Sequence, residues 1–365
     1  MTTHYLSKDA GGPGISATRE PVLRIAPGQG ERITFETDDA AYAQLHEHHD
    51  MGKLTAPLNP VTGPVYVDGA EPGDVLAVTV HDITFPYGGW SLYLPGAGAL
   101  AGPMGEEWVT RRIEIADGVV HLPGGRTCPV APMIGCIGVA AADGEMSTVM
   151  PSYPTGGNMD ISDVAPGSTV YLPVQVPGAL LYIGDLHAAM GRGEATFVAI
   201  EAAGEATVSV DLVKAPEGAL GQLRAPRVET PTEIICVGLG DPVQESIVTA
   251  YESLFAVLTQ DYGYSAADAY VVMSAAAHSE LGGPTGSKDP DPLHPFRAVG
   301  AVTPDWNGFA VLHTAAARVG GLDIGFVPAE GGKNVASMMG AMDMLFLLGA
   351  DEFDMGAIGD AFTVY

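Results

Sequence analysis

The chain has 365 residues, enough for two ordinary domains or one large β-rich domain, and its hydrophobic fraction of 47% excludes global disorder. Its 44 acidic residues outnumber its 16 basic residues, which gives a formal net charge of −28. This acidity, without a basic patch, disfavours nucleic acid or an anionic membrane surface as a partner. The 48 glycines and 28 prolines favour many turns between short strands over long helices.

Three scattered cysteines and the lack of long apolar segments indicate where in the cell the protein is located. Cys128, Cys136 and Cys236 form no CxxC pair, which argues against a zinc knuckle or thioredoxin-like motif and is typical of reduced thiols in the cytoplasm. Residues 1–20 lack the apolar segment of a signal peptide, and no apolar run reaches the ~18–20 residues of a membrane span. We therefore expect a cytoplasmic protein without a membrane partner.

The front of the chain has the pattern of a β protein. Residues 1–20 are polar and predict an N-terminal arm, and residues 40–52 predict a short helix or a loop. Alternating apolar residues bounded by Pro-Gly turns predict short strands at residues 22–25, 32–35, 65–67, 75–81, 169–174, 195–200 and 206–213. Such spacing favours a β-sandwich or a barrel.

Helical periodicity is clear only later in the chain. Asp241 can cap a helix, with Pro242 and Gln244 at its first and third positions, and apolar residues at helical spacing follow until Gly263. A second helix is predicted at 266–278. We expect both helices to pack across one side of the β core, so the predicted fold class is mainly β with added helices (α+β).

The composition changes again near the end. Residues 279–297 are rich in Gly, Pro and Asp and predict a linker. Residues 298–365 alternate between strand-like and helix-like segments, which predicts a small segment of α/β texture.

Residues 184–194 hold the densest set of chemically active side chains. Asp185 and His187 are two positions apart, so on an extended strand they point to the same face. A carboxylate and an imidazole on one face can share a divalent metal or form an Asp–His pair. Glu194 is expected to start the next strand within reach of this face. On its own, however, the Asp-x-His spacing is a weak indicator of function.

A second cluster lies at 154–160. Gly156 and Gly157 allow the backbone to bend close to a ligand, and Asn158 and Asp160 offer an amide and a carboxylate. The plainer alternative is an Asx-type turn. Asn59, in the segment NPVTGP, is a third candidate, for which turn formation is favoured over catalysis.

Two further groups are better explained without function. His46, His48 and His49 resemble metal ligands, but a solvated helix end is the favoured interpretation. Cys136 lies in an apolar segment without a neighbouring histidine or acid, which predicts a buried structural thiol. The sequence contains no GxSxG, P-loop or GxGxxG motif.

Four long segments, taken together and in order, carry a resemblance. They are 58–83 (LNPVTGPVYVDGAEPGDVLAVTVHDI), 131–141 (APMIGCIGVAA), 156–201 (beginning GGNMDISD and containing GDLHAAMGRGE) and 265–277 (SAADAYVVMSAAA). Over about residues 20–278 the chain resembles the acetamidase/formamidase family. The resemblance implies a β-sandwich core with a helical addition, a homodimer or higher homo-oligomer, and hydrolysis of small linear amides to carboxylate and ammonia. It also implies a divalent metal that activates water, with zinc the favoured ion.

The resemblance also implies roles for individual residues. The metal ligands would be Asp160, Asp185 and His187, the catalytic residues Glu194, Asn158 and Asp160, and the substrate-binding residues Asn59 and Gly157. Glu194 would act as general base and then as acid, and Asn158 would donate to the amide carbonyl oxygen.

Two departures from the family pattern suggest alternatives. Family members usually carry an acidic residue where Arg192 stands, so a metal ligand would be lost here if that acid binds metal. Residues 298–365, with LFLLGADEFDMG and GDAFTVY, resemble part of the large iron–sulfur subunit of NADH–quinone oxidoreductase, without its cluster-binding cysteines. The alternatives are therefore an inactive amidase-like chimera or a fragment related to a respiratory complex.

The expected organisation has four parts. An N-terminal arm covers 1–20, the acetamidase/formamidase-like domain 21–278, the linker 279–297 and a foreign α/β fragment 298–365. The family would continue after Ala277 with one more β segment, which the sequence does not show.

Overall fold

The structure is a computed structural model, and it describes residues 3–149, 152–240, 243–282 and 297–300. The predicted α/β fragment lies outside the described residues from residue 301 onward. The predicted helix start at Asp241 and Pro242 also lies outside them.

The described residues form twenty-two strands, most of them short. In chain order they are β1 Thr3–Leu6, β2 Gly11–Gly12, β3 Ile15–Ser16, β4 Leu23–Ile25, β5 Arg32–Glu36, β6 Val61–Val67, β7 Val75–Thr84, β8 Gly89–Tyr93, β9 Val109–Ala116, β10 Val119–Leu122, β11 Arg126–Pro129, β12 Met133–Val139, β13 Glu145–Met146, β14 Gly156–Asn158, β15 Thr169–Pro173, β16 Leu181–Ala189, β17 Ile200–Glu201, β18 Glu205–Val213, β19 Arg227–Glu229, β20 Ile234–Leu239, β21 Ser279–Leu281 and β22 Arg297–Gly300.

The helices are fewer. The α-helices are α1 Ala40–His48, α2 Ala101–Met104, α3 Val243–Ala256 and α4 Ala266–Ala276. Short 3₁₀ turns occur at Lys8–Ala10, Met51–Lys53, Pro123–Gly125 and Leu220–Gln222, and a π-helical turn follows α3 at Val257–Asp261. Among the described residues, no helix has the length and apolar character needed to span a membrane.

Most strands belong to two large sheets. One has the order β1-β5-β18-β7-β15-β19-β20-β22-β21, and the other runs β11-β10-β9-β8-β17-β16-β12-β14, with β6 pairing β16 and with β2 and β4 pairing β6. A separate pair joins β13 to β3. The predicted arm therefore contributes strands, because β1 pairs in parallel with β5 at one edge of the first sheet.

One apolar core joins the two large sheets. Ile33, Val78 and Val208 come from the first sheet and meet Ile137 and Ile183 of the second, all fully buried. The β18 strand shows how a strand contributes one face to this core, because every second residue from Ala206 to Val210 is buried. The predicted class, mainly β with added helices, is confirmed.

The helical additions also follow the prediction. Ser265 caps α4 by accepting a hydrogen bond from the Asp268 backbone N–H at 3.1 Å. The α3 helix covers the first sheet at β20, where Leu254 and Cys236 are both buried in one cluster. Strands β21 and β22 continue this sheet past Ala277, so the prediction that no β segment follows Ala277 is wrong. The proposed domain boundaries remain predictions.

One predicted strand is wrong. Residues 195–200 were expected to be extended, but only Ile200–Glu201 forms a strand. Glu194 and Phe197 have left-handed backbone angles, with φ of 43° and 75°. Turn hydrogen bonds hold this bend, from Glu194 N–H to Gly191 O and from Phe197 N–H to Glu194 O. Glu194 therefore lies in a turn and does not begin a strand.

Candidate functional site

A cavity of about 50 Å³ lies beside β16, with α1 and the turn after β16 among its walls. One part of its wall is apolar and the other is ionisable. The lining residues are Tyr42, Leu45, Leu58, Asn59, Leu92, Leu94, Val149, Asn158, Asp160, Asp185, His187, Glu194, Phe197, Val198 and Glu201.

His187 is the centre of the ionisable part. Its Nε2 atom lies 3.5 Å from Asp185 Oδ1, 3.3 Å from Glu201 Oε2 and 4.0 Å from Asp160 Oδ1. Glu194 also reaches the imidazole, because their ligand atoms and that of Glu201 all lie within 4.8 Å of one another. The cavity thus brings together four carboxylates and one imidazole, all buried.

A glycine on the neighbouring strand makes room for two of these carboxylates. Gly135 lies on β12, and a Cβ atom there would stand 2.5 Å from Asp185 Oδ2 and 2.8 Å from Asp160 Oδ1. The Asp160 backbone N–H also donates to Gly135 O at 3.2 Å. Sequence reasoning missed Gly135, because it lies inside an apolar run with no sign that carboxylates approach it.

The predicted segment 156–158 carries the Asn158 side-chain amide to the wall of the cavity. Gly156 and Gly157 have φ of 99° and 111°, angles that suit glycine, and β14 pairs with β12 so that Asn158 lies opposite Cys136. Asn158 is buried and lines the cavity, whereas Gly157 is not among the lining residues.

Two polar lining residues were not predicted from the sequence. Glu201 on β17 lies directly opposite His187 on β16, and its Oε1 atom accepts a hydrogen bond from Ala199 N–H at 3.0 Å. Tyr42 on α1 donates its hydroxyl to Asn59 Oδ1 at 2.8 Å. An acid within the apolar run VAIEAAG was the only local signal for Glu201.

Burial shifts the pKa values of the ionisable side chains in the cluster. Burial raises the pKa of Asp185 to about 7, and it raises the pKa of Glu194 well above its ordinary value, with the charge of Asp160 adding to the effect. Burial disfavours charge on His187 and Glu201 too. Their mutual attraction outweighs it, so the pKa of His187 is raised and that of Glu201 is lowered.

The donor set fits a divalent cation. Asp160, Asp185 and His187 form one group with ligand atoms close enough to share an ion, and His187, Glu194 and Glu201 form another. Within the described part of the chain, the buried His187 Nδ1 and Asn158 Oδ1 atoms have no hydrogen-bond partner. Carboxylate oxygens with one imidazole suit zinc, and also harder divalent ions such as manganese.

Backbone strain is concentrated at the same place. Ten non-glycine residues of the described chain have left-handed φ angles. Half of these strained residues line the cavity: Asn59, Asp160, Asp185, Glu194 and Phe197. Because such angles persist only where the surroundings hold them, their clustering supports a functional site.

Other candidates lie away from the cavity. His46 Nδ1 and His49 Nε2 lie 2.8 and 3.2 Å from Thr110 Oγ1, and neither histidine lines the cavity. Cys136 is fully buried, as predicted. The Arg192 guanidinium binds carboxylates outside the cavity and adds no cation to the cluster.

Curated relatives match about half of this chain. A protein of Schizosaccharomyces pombe that carries the name formamidase is 30% identical over 250 residues, 51% of this chain and 60% of that protein. The acetamidase of Mycolicibacterium smegmatis is 28% identical over 255 residues, 52% of this chain and 63% of that enzyme. The chain thus spans less than two thirds of the length of these two relatives.

A short C-terminal stretch of the chain is similar to a different protein. It is 41% identical over 61 residues to one of the subunits of the NADH–quinone oxidoreductase of Rickettsia bellii, which amounts to 17% of this chain and 8% of that protein. The resemblance of the C-terminal part to this respiratory enzyme, predicted from the sequence, is confirmed.

Solved structures and a family model concern the larger part of the chain. The crystal structure of acetamidase from Yersinia enterocolitica is similar with a TM-score of 0.70 and 30% identity, covering 83% of this chain and 92% of that one. The sequence model of the Acetamidase/Formamidase family matches residues 94–283, just over half of the chain. The chain belongs to the acetamidase/formamidase family.

Proposed function

We propose that this protein hydrolyses small linear amides, of the formamide and acetamide type, to a carboxylate and ammonia. The observation that carries the proposal is the cluster of four buried carboxylates and one imidazole in a cavity of about 50 Å³. A cavity of this size suits small ligands, and formamide and acetamide have only three and four non-hydrogen atoms.

A divalent cation, with zinc the favoured ion, fits the ligands Asp160, Asp185 and His187 in this proposal. When bound, it would supply Lewis acidity for the water and for the amide carbonyl. The burial of the ligands supports this role, because ionised carboxylates without a counter-charge are costly in a dry site.

Glu194 is the proposed general base and acid. Its carboxylate is buried beside the imidazole, and burial raises its pKa well above the ordinary value, which favours uptake of a proton from water. It takes a proton from water as the water oxygen bonds to the carbonyl carbon. It then gives a proton to the nitrogen as the C–N bond breaks.

The remaining wall would orient the substrate. Asn158 lines the cavity, and in this proposal its side-chain amide would donate to the carbonyl oxygen, where negative charge develops. Asn59, which accepts a hydrogen bond from the Tyr42 hydroxyl, would contact the amide group of the substrate, and Leu45 and Phe197 would contact its short acyl group. Gly157 serves by letting the backbone reach Asn158 at a φ of 111°.

The test is ammonia release from formamide and acetamide by the purified protein. We expect turnover that a chelator abolishes and that added zinc or manganese restores. We expect Glu194→Gln to lower kcat at least roughly a hundredfold, whereas His121→Ala, at an exposed histidine, should leave kcat unchanged. Folded protein that binds the cation but releases no ammonia from any short amide would contradict the proposal.

The remaining expectations concern the whole protein. We propose a cytoplasmic homodimer or higher homo-oligomer that takes a small amide as its substrate. Light scattering of the purified protein would test the assembly, and a monomeric mass at micromolar concentration would contradict it.

A further inference from the structure

Arg192 connects three segments of the chain next to the cavity. Its Nη1 and Nη2 atoms donate to the two carboxylate oxygens of Asp163 at 2.8 and 3.0 Å. Nη1 also donates to Glu280 Oε1 at 2.5 Å. The two parallel bonds to Asp163 fix the angle of the guanidinium as well as its distance.

Each partner lies close in sequence to a group in the site. Asp163 is three residues beyond Asp160, and Arg192 is two residues before Glu194. The ion pair therefore joins the segment that carries Asp160 to the turn that carries Glu194. Glu280 ties both segments to β21, at the other edge of the first sheet from β1.

The joined segments are also strained. Asp160 and Glu194 have φ angles of 47° and 43°, which L-amino acids adopt only when the surroundings hold them there. The Asp163 side chain is only 11% exposed, so this pair is better shielded from solvent than an ordinary surface pair. Arg192 itself does not line the cavity and cannot act by touching the substrate.

We propose that Arg192 is a positioning residue, which holds Asp163 and thereby fixes the two segments that place Asp160 and Glu194 at the cavity. The catalytic part of this inference rests on the proposed amide hydrolysis. The positioning part concerns the chain alone and can be measured without turnover.

The test combines hydrogen–deuterium exchange with steady-state kinetics on Arg192→Met, Arg192→Lys and Asp163→Asn. Arg24→Met is the matched control, because it removes an exposed Arg–Asp pair, that of Arg24 with Asp68 at 2.6 Å, far in sequence from these segments. Exchange is followed in peptides covering 159–164 and 190–197.

We expect Arg192→Met and Asp163→Asn to speed exchange in both peptides and to lower kcat roughly ten- to a hundredfold, with KM changed less than about threefold. Arg192→Lys should fall between wild type and Arg192→Met, because lysine keeps the charge but not the bidentate geometry. Arg24→Met should match wild type in both measurements.

Wild-type exchange in both peptides of Arg192→Met would overturn the inference. Faster exchange with an unchanged kcat would also overturn it, since the pair would then be structural only. If the wild type hydrolyses no amide, the proposed function fails by itself, and the exchange rates alone decide whether Arg192 fixes both segments.

Discussion

At the scale of single residues, the site depends on the missing side chain of Gly135 as well as on the side chains that line the cavity. Gly135 has no side chain, and this allows the Asp160 and Asp185 carboxylates to approach β12. Its φ is not left-handed, so any L-residue could adopt the backbone angle. The requirement for glycine here is therefore one of space alone.

We expect Gly135→Ala to damage the site. The added methyl group would meet Asp185 Oδ2 and the Asp185 backbone oxygen, so the carboxylates must move and cation affinity should fall at least roughly tenfold. Overpacking should also cost about 1–3 kcal/mol of unfolding free energy. Calorimetric titration with zinc measures the first effect. Gly102→Ala is the control, because nothing lies within 4 Å of a Cβ there, and equal zinc affinity in both variants would refute the expectation.

Tyr42 offers a second prediction at this scale. Removing its hydroxyl in Tyr42→Phe leaves Asn59 Oδ1 without its donor, so we expect KM for acetamide to rise several-fold and unfolding free energy to fall by about 1 kcal/mol. Steady-state kinetics and denaturant unfolding measure these changes. Tyr87→Phe, at a tyrosine that is 68% exposed, should change neither, and an unchanged KM in Tyr42→Phe would exclude a role for the hydroxyl in binding.

At the scale of elements, the ends of β7 and β18 are joined by one buried carboxylate. Asp74, just before β7, accepts hydrogen bonds from Lys214 Nζ at 2.6 Å and from the backbone N–H groups of Glu71 and Ala215. Burial raises the pKa of Asp74, but these bonds outweigh burial and hold it below its ordinary value. Asp74 therefore stabilises the fold in its ionised form.

The depressed pKa of Asp74 determines how the stability of the fold depends on pH. Because the folded pKa of Asp74 is depressed, its contribution is complete above the unfolded pKa of about 4 and is lost as the pH falls through the folded value. We expect Asp74→Asn to cost about 1–3 kcal/mol near pH 7 and progressively less below pH 4, measured by urea unfolding. Asp68→Asn, in an exposed pair, should cost less than about 1 kcal/mol. A deficit in Asp74→Asn that does not shrink in acid would show that ionisation is unimportant.

The sequence predicted some elements of the site and not others, for physical reasons. Asp185 and His187 could be paired from their spacing alone, because alternation along one strand is local. Glu201 meets His187 only through the pairing of β16 with β17, which nothing near Glu201 encodes. The apolar run 195–200 has the composition of a strand, but turn hydrogen bonds donated by the backbone N–H groups of Glu194 and Phe197 bend the chain here, where Phe197 lines the cavity.

At the scale of the whole molecule, the site is assembled from distant parts of the chain. Its side chains come from α1, β8, β14, β16, β17, the turn between the last two, and loop residues that include Asn59 and Asp160. A cation held there would connect segments that are separate in the unfolded chain, and it would bind the native state far better than the unfolded state. Cation binding should therefore stabilise the entire fold.

We expect zinc or manganese to raise the melting temperature of the wild type. An ion at a hundred times its Kd adds about 2.7 kcal/mol to the free energy of unfolding. Scanning calorimetry should show this rise in the wild type and in His121→Ala, but not in His187→Ala, which lacks the central ligand. An equal rise in His187→Ala would locate the cation elsewhere.

The position of β16 has a consequence for how this chain can vary. His187 faces the cavity, while its neighbour Leu186 lies in the apolar core between the sheets. The β16 strand is paired on both sides, and irregularities in its pairing occur between Leu181 and Ile183 and between His187 and Ala189. A single inserted or deleted residue between these points would exchange the faces, sending the imidazole into the core and the leucine into the cavity. Related sequences can therefore carry insertions or deletions in their turns, but rarely within this strand.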